Sequence, residues 1–182
     1  KSLQGGEKPI MEGAMVVKPF RLNLSWHGLK MVRGDTSTLQ INVGTLCNQV
    51  CRHCHLNAGP GRKENMNLES ANQVVDYATR CSFETIDITG GAPEMSPDLE
   101  WFITEVSKLN RRLIIRSNLV ILLDEEYRKF IDIYAAHKVE IVTSLPDYIE
   151  SKSDRQRGDG VFHKAIEVIK ILNEKGYGKK KS

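Results

Sequence analysis

Apolar residues along this chain follow two rhythms in alternation, one of period two and one near the helical period. Leu39, Ile41 and Val43 alternate with polar neighbours and predict a first strand ending at Gly44. Leu68, Ala71, Val74, Val75 and Ala78 then recur at helical spacing. Thr85 to Thr89 reads as a second strand, stopped by Gly90-Gly91. Ser96, with Pro97 at the first helical position, opens a helix whose inward face is Leu99, Phe102, Ile103 and Val106. Leu113 to Ile115 forms a third strand, and a helix capped near Asp124 follows with Tyr127, Phe130, Ile131 and Tyr134 on one face. Val139 to Thr143 is a fourth strand. The last helix carries Val161, Ala165, Val168, Ile169 and Leu172 and meets Gly176, a C-terminal cap.

This is the pattern of four βα units around a parallel sheet, an α/β fold. Residues 1–37 read as an irregular leader or cap, because Gly5-Gly6, Pro9, Gly13 and Pro19 break any period there. Residues 38–178 make the core and 179–182 a basic tail. The residues that stand out chemically are not scattered. Cys47 follows the first strand, Gly90-Gly91 the second, Ser117-Asn118 the third and Ser144 the fourth. In parallel α/β folds that end of the sheet is where ligands bind.

The 182 residues suit one domain with a substantial core. Its longest strictly apolar run, Leu119 to Leu123, is too short to cross a bilayer, so no membrane association is expected. The formal charge of +3 comes from Lys179, Lys180 and Lys181, and the remainder is balanced. A neutral body lacks the footprint of a protein that neutralises many phosphates, so no nucleic-acid partner is expected. Three of the four cysteines crowd one loop rather than forming a dispersed framework, which points to a reducing, cytoplasmic compartment. The sequence begins with Lys1 and has no apolar signal core, and an organellar address stays open.

Within that loop, Cys47, Cys51 and Cys54 place three thiols inside eight residues, the density expected of a metal site. If they hold a cubane iron-sulfur cluster, one iron lacks a protein ligand and is open to substrate or cofactor. Zinc completed by His53 or His55 is the competing reading, although structural zinc usually draws on two separated pairs. Cys81 reads as a buried small residue at a helix end. His137 and His163 read as surface or core-edge residues on helices, and Asp147 and Tyr148 as loop residues that could face a substrate.

The Cys-x3-Cys-x2-Cys loop after strand one, with His53 before its last cysteine, resembles the signature of the radical S-adenosylmethionine (radical SAM) superfamily, and Gly90-Gly91-Ala92-Pro93-Glu94 resembles its glycine-rich motif. The resemblance is closer still to the arsenosugar biosynthesis radical SAM proteins. It runs through Asn42 to Cys51, Cys54-His55, Ala58-Gly59-Pro60, Asp87 to Glu94, Arg116 to Leu119, Ser144-Leu145-Pro146 and Asp154 to Phe162. It implies a partial (βα) TIM-like barrel in which Cys47, Cys51 and Cys54 ligate a [4Fe-4S] cluster. It further implies that Gly90, Gly91, Ala92, Pro93, Ser117, Asn118 and Arg157 bind S-adenosyl-L-methionine. In that arrangement Pro93 stiffens the turn, Ser117 and Asn118 face ribose hydroxyls, and Arg157 offers a planar fork to the cofactor carboxylate.

The implied chemistry is reductive cleavage of the cofactor to methionine and a 5′-deoxyadenosyl radical, fed by an electron donor such as flavodoxin or ferredoxin. The implied substrate is a small molecule, a methylated arsenical that receives the adenosyl group. Two features depart from the family. Asp147 stands where a cysteine commonly follows Ser-Leu-Pro, and the chain stops where members continue into further barrel strands and a cysteine-rich domain. Strand four is then an exposed edge. A truncated, catalytically incomplete protein that binds a cluster or zinc is therefore the alternative expectation.

Overall fold

The computed structural model describes residues 18–179, which divide between Asp35 and Thr36 into two compact units. Residues 180–182 of the expected tail and the first seventeen residues of the expected leader lie outside the described residues. In the N-terminal unit a short helix, α1 (Phe20–Trp26), follows Pro19 and buries none of its residues. Lys18 Nζ sits 3.1 Å from the centroid of the Trp26 ring. The sequence pattern predicts no helix there, because a seven-residue segment is too short to show a period.

The larger unit is a four-stranded parallel sheet in the order β1 (Thr38–Asn42), β2 (Thr85–Thr89), β3 (Arg112–Arg116), β4 (Glu140–Val142). Its register aligns Ile41 with Ile88, Ile88 with Ile115 and Ile115 with Ile141. Side chains on successive residues point to opposite faces. One face therefore carries Leu39, Ile41, Ile86, Ile88, Leu113, Ile115 and Ile141 into the apolar core. Against it pack α2 (Leu68–Arg80), α3 (Leu99–Ser107), α4 (Phe130–Ala136) and α6 (Val161–Glu174), which contribute Ala71, Ala78, Phe102, Ile103, Tyr134, Val168 and Leu172. Phe102 and Ile115 are both 0% exposed, and burial of each stabilises the fold by roughly 1.5–3 kcal/mol.

The other sheet face is mostly polar, with Gln40 and Asn42 on β1, Asp87 and Thr89 on β2, Arg116 on β3 and Glu140 on β4, interrupted by Ile114 and Val142. The interior of a closed βα barrel is ordinarily filled by layers of apolar side chains. Here the equivalent face is hydrogen-bonded and open.

Two helix starts, one helix and the burial of one cysteine differ from the sequence pattern. Ser96 does not cap α3; the segment after the glycines coils into a 3-10 turn at Pro93–Met95, and the helix starts at Leu99 behind Asp98. Asp124 does not cap α4, which begins at Phe130; Asp124 closes a 3-10 turn at Val120–Leu123, and its Oδ1 accepts from the Glu126 amide at 3.1 Å. A further helix, α5 (Glu150–Arg157), has no apolar stripe to announce it, yet buries Ser153 and Arg157. Cys81 is half-buried at the C-cap of α2 rather than buried, because the chain leaves the helix there in extended form.

Candidate functional site

The segment between β1 and α2 would be a floppy excursion were it not sewn to the sheet end by backbone bonds. Gly44 and Leu46 bridge to Asn65 and Gly59, and Met66 N–H returns to the Val43 carbonyl at 2.8 Å. The glycine turn after β2 completes the clamp: Gly91 N–H donates to the Gly44 carbonyl at 2.9 Å and Ala92 N–H to the Leu46 carbonyl at 2.8 Å. A Cβ at Gly91 would collide with the Leu46 carbonyl group, and one at Gly90 would stand 2.9 Å from the Gly44 oxygen. The glycines thus let two loop backbones touch just upstream of Cys47.

Beyond that clamp the thiols gather at the sheet end. Cys47 is buried, and Cys51 and Cys54 are half-buried. Gln49 N–H points at Cys47 Sγ (3.4 Å), Ala58 N–H at Cys54 Sγ (3.4 Å), and Asn118 Nδ2 approaches Cys47 Sγ at 3.7 Å. Burial pushes the Cys47 and Cys51 thiols up from their ordinary value; Arg157 pulls Cys51 the other way. Donors aimed at sulfur favour thiolate ligands and tune the potential of an iron-sulfur cluster they hold.

Arg157, at the end of α5, is 5% exposed and has no carboxylate within ion-pair range among the described residues. Its Nη1 donates to the Ser144 carbonyl, and its Nη2 to Gln49 Oε1 (3.1 Å) and the Asn118 carbonyl (3.4 Å). Its Nε, like Gln49 Nε2, is buried without a partner. A buried cation with only neutral acceptors is costly and calls for an anion close by. An anionic cluster on the three thiolates, or the carboxylate of a bound cofactor, meets that need. The residues present therefore fit the group that the motif resemblance implies.

A cavity of about 240 Å³ joins these elements, lined by Cys47, Cys51, Cys54, Gly90, Gly91, Ser117, Asn118 and Arg157 among others. Ala92 and Pro93 do not line it: both are buried behind the glycine turn, where Pro93 opens the 3-10 turn. Asn118 is committed to the protein, with Nδ2 on Asn48 Oδ1 (2.7 Å) and Oδ1 receiving the Ile121 amide (3.1 Å). Ser117 Oγ accepts from the Leu119 amide at 3.1 Å. These partners place the two residues as struts of the cysteine loop and of the positive-φ turn at Leu119. The outer fork of Arg157, expected to meet a carboxylate, is occupied by protein acceptors.

His53 and His55 line the cavity from exposed positions, and no three His, Cys, Asp or Glu side chains among the described residues converge as they would around a single ion. Asp147 makes a turn, its Oδ1 receiving the Ile149 amide at 2.8 Å, while Tyr148 is exposed. His137 ends α4, and His163 meets Glu150 at 3.0 Å on the surface. A larger hollow of about 650 Å³ beside Arg52 and Arg155 contains no thiol, so size alone does not choose the site.

Three polar residues escaped the sequence pattern. Gln49 could be read only as a loop residue, yet it links Cys51 to Arg157. Glu94 is fully buried, and its carboxyl accepts from Tyr134 Oη at 3.0 Å. Arg116 chelates buried Asp87 through Nε (3.0 Å) and Nη2 (2.8 Å). Alternation marks Asp87 and Arg116 as facing away from the apolar core, a signal that was available.

The chain resembles known proteins in sequence and in fold. The chain is similar to the antilisterial bacteriocin subtilosin biosynthesis protein AlbA of Bacillus subtilis (strain 168), 24% identical over 133 residues, covering 71% of this chain and 29% of AlbA. It thus spans less than a third of that relative. Among solved structures it resembles Streptococcus suis SuiB bound to S-adenosylmethionine, with a TM-score of 0.64 at 20% identity, over 88% of this chain and 38% of SuiB. Methylornithine synthase (PylB) superposes with a TM-score of 0.52 at 16% identity, over 77% of this chain and 42% of that one. These likenesses establish the α/β partial barrel. The profile of the radical SAM superfamily matches residues 41–182, and with three cysteines and a glycine turn at the same sheet end the chain belongs to the radical SAM superfamily.

Proposed function

We propose that residues 38–178 are the cofactor-binding core of an enzyme that cleaves S-adenosyl-L-methionine reductively. The cluster and cofactor would supply electron delivery and the 5′-deoxyadenosyl radical. The chain's own residues bind and orient. Cys47, Cys51 and Cys54 hold the cluster; Gly90 and Gly91 expose backbone to the cofactor; Arg157 balances charge from a water-poor position. The single observation that carries this reading is the buried guanidinium without a carboxylate among the described residues, beside three thiols of which Cys47 and Cys54 receive N–H donors.

Anaerobic reconstitution of the full chain tests it. Binding of about four irons, and an EPR signal of the reduced cluster that shifts on adding the cofactor, is the expected result. Stoichiometric zinc with no response to the cofactor would overturn it and leave the metal-binding alternative. Release of 5′-deoxyadenosine then distinguishes turnover from binding. A flavodoxin or ferredoxin is the proposed electron donor, and the cytoplasm, as a reducing compartment, the proposed location.

For the substrate, the motif resemblance supports transfer of the adenosyl group to a methylated trivalent arsenical. A second reading has its own support, since SuiB has been solved with its precursor peptide SuiA and AlbA acts in bacteriocin biosynthesis. On that reading the substrate is a peptide. An adenosylated arsenical in the product mixture supports the first; a peptide mass change with release of 5′-deoxyadenosine supports the second.

A further inference from the structure

Next to the cofactor cavity, on the polar face of the sheet, lies a second cavity of about 410 Å³ lined by Gln40, Asn42, His55, Leu56, Thr89 and Arg116. Thr89, His55 and Arg116 line both, so the two communicate across the ends of β2 and β3. What this second cavity offers a ligand follows from which atoms are already used. Asp87 is unavailable: it is 4% exposed, and its oxygens receive Gln40 Nε2 (2.9 Å) and Arg116 Nε and Nη2. Those bonds leave Arg116 Nη1 without a partner among the described residues, on a side chain 47% exposed. Asn42 Oδ1 is taken by the Gly44 amide at 2.9 Å, which leaves its Nδ2 hydrogens without a partner among the described residues. The uncommitted groups on Arg116 and Asn42 are thus both N–H donors, one of them cationic.

We propose that this cavity seats an oxyanion of the substrate, a planar carboxylate or a tetrahedral oxyanion, held by Arg116 Nη1 and Asn42 Nδ2. Asp87 and Gln40 position Arg116 and bind no ligand themselves. A planar guanidinium fixed on one edge by a buried carboxylate presents its other edge without loss of rotamer freedom, and charge-assisted bonds to oxygen anions are the strong kind. The seat lies beside the cofactor cavity, so an anchored group would leave the rest of the molecule within reach of the cofactor. The proposal rests on the radical SAM reading only for its role in turnover; binding stands by itself.

Calorimetric titration of the full reconstituted chain with sodium glutarate, sodium cacodylate and neutral glutaramide tests it. Saturable millimolar binding of either salt but not of glutaramide is expected. The Asp87→Asn/Arg116→Met double variant, which removes both charges together, should lose about tenfold in affinity. Binding of glutarate alone points to a carboxylate substrate, and binding of cacodylate alone to a tetrahedral oxyanion. Should the double variant fail to fold, Asn42→Leu carries the test, with a loss of about threefold. Absence of saturable binding, equal binding of glutaramide, or unchanged affinity in the folded variants would overturn the proposal. Cluster loading and the cofactor-induced EPR shift, read on the same samples, report separately on the radical SAM reading.

Discussion

Gly91→Ala isolates the contact on which the cysteine loop depends. A Cβ at that position would come within 2.8 Å of the Leu46 carbonyl carbon and 2.9 Å of the Thr45 carbonyl carbon, both backbone atoms that cannot turn aside as a side chain could. Relief must come from parting the two loops, which strains or breaks the Gly91-to-Gly44 and Ala92-to-Leu46 bonds. At about 0.5–1.5 kcal/mol each, their loss amounts to about 1–3 kcal/mol. With a urea slope of about 2 kcal/mol/M, the unfolding midpoint should fall by about 1 M. The displacement begins one residue before Cys47, so iron bound after anaerobic reconstitution should fall as well. Gly61→Ala is the control, because its Cβ meets nothing within 4 Å and its backbone is not left-handed. That change should be neutral, or stabilising by about 0.4–1 kcal/mol. If Gly91→Ala matches Gly61→Ala in both midpoint and iron content, the clamp argument is wrong.

Three further outcomes follow from particular contacts. Burial raises the Glu94 carboxyl above its ordinary value, against the opposing bonds of Ser117 and Tyr134. Its protonation therefore stabilises the fold below the ordinary carboxylate range, and that contribution is lost as pH rises through the raised value; urea midpoints of Glu94→Gln should gain on wild type across that window and then run parallel. Asp154 receives the Gly160 amide at 2.7 Å and the Phe162 amide at 2.8 Å, so Asp154→Ala should cost about 0.5–2 kcal/mol in the same assay, with loss of α6 helicity by circular dichroism. Arg157→Met removes a buried cation beside Cys51, so a reconstituted cluster should be harder to reduce in an EPR-monitored titration. A tenfold change in the reduced fraction would correspond to about 59 mV, and an unshifted midpoint would remove Arg157 from any electrostatic role.

Much of this arrangement is written in local pattern. The two periodicities fixed the βα order, because β1 to β4 and α2, α3 and α6 each bury a face that repeats along the chain. The cysteines were legible because their spacing is itself local, and the glycine turn because it interrupts a strand. α5 was not legible: its residues are polar all round, and what holds it is Asp154 capping the next helix and Arg157 reaching into the site.

The sequence by itself determined that three thiols stand at the end of one strand and that four strands end on the same side. Only the tertiary structure decided what each neighbour does there. Gly90 and Gly91 are required where loops meet, Asn118 is bound to the cysteine loop, and Arg157 is a buried cation short of an anion. The physical reason is range. Periodicity and spacing are properties of residues close in the chain, whereas the Gln49–Arg157 and Asp87–Arg116 bonds join residues 108 and 29 positions apart. Which donors they leave uncommitted is settled only when those distant groups have met.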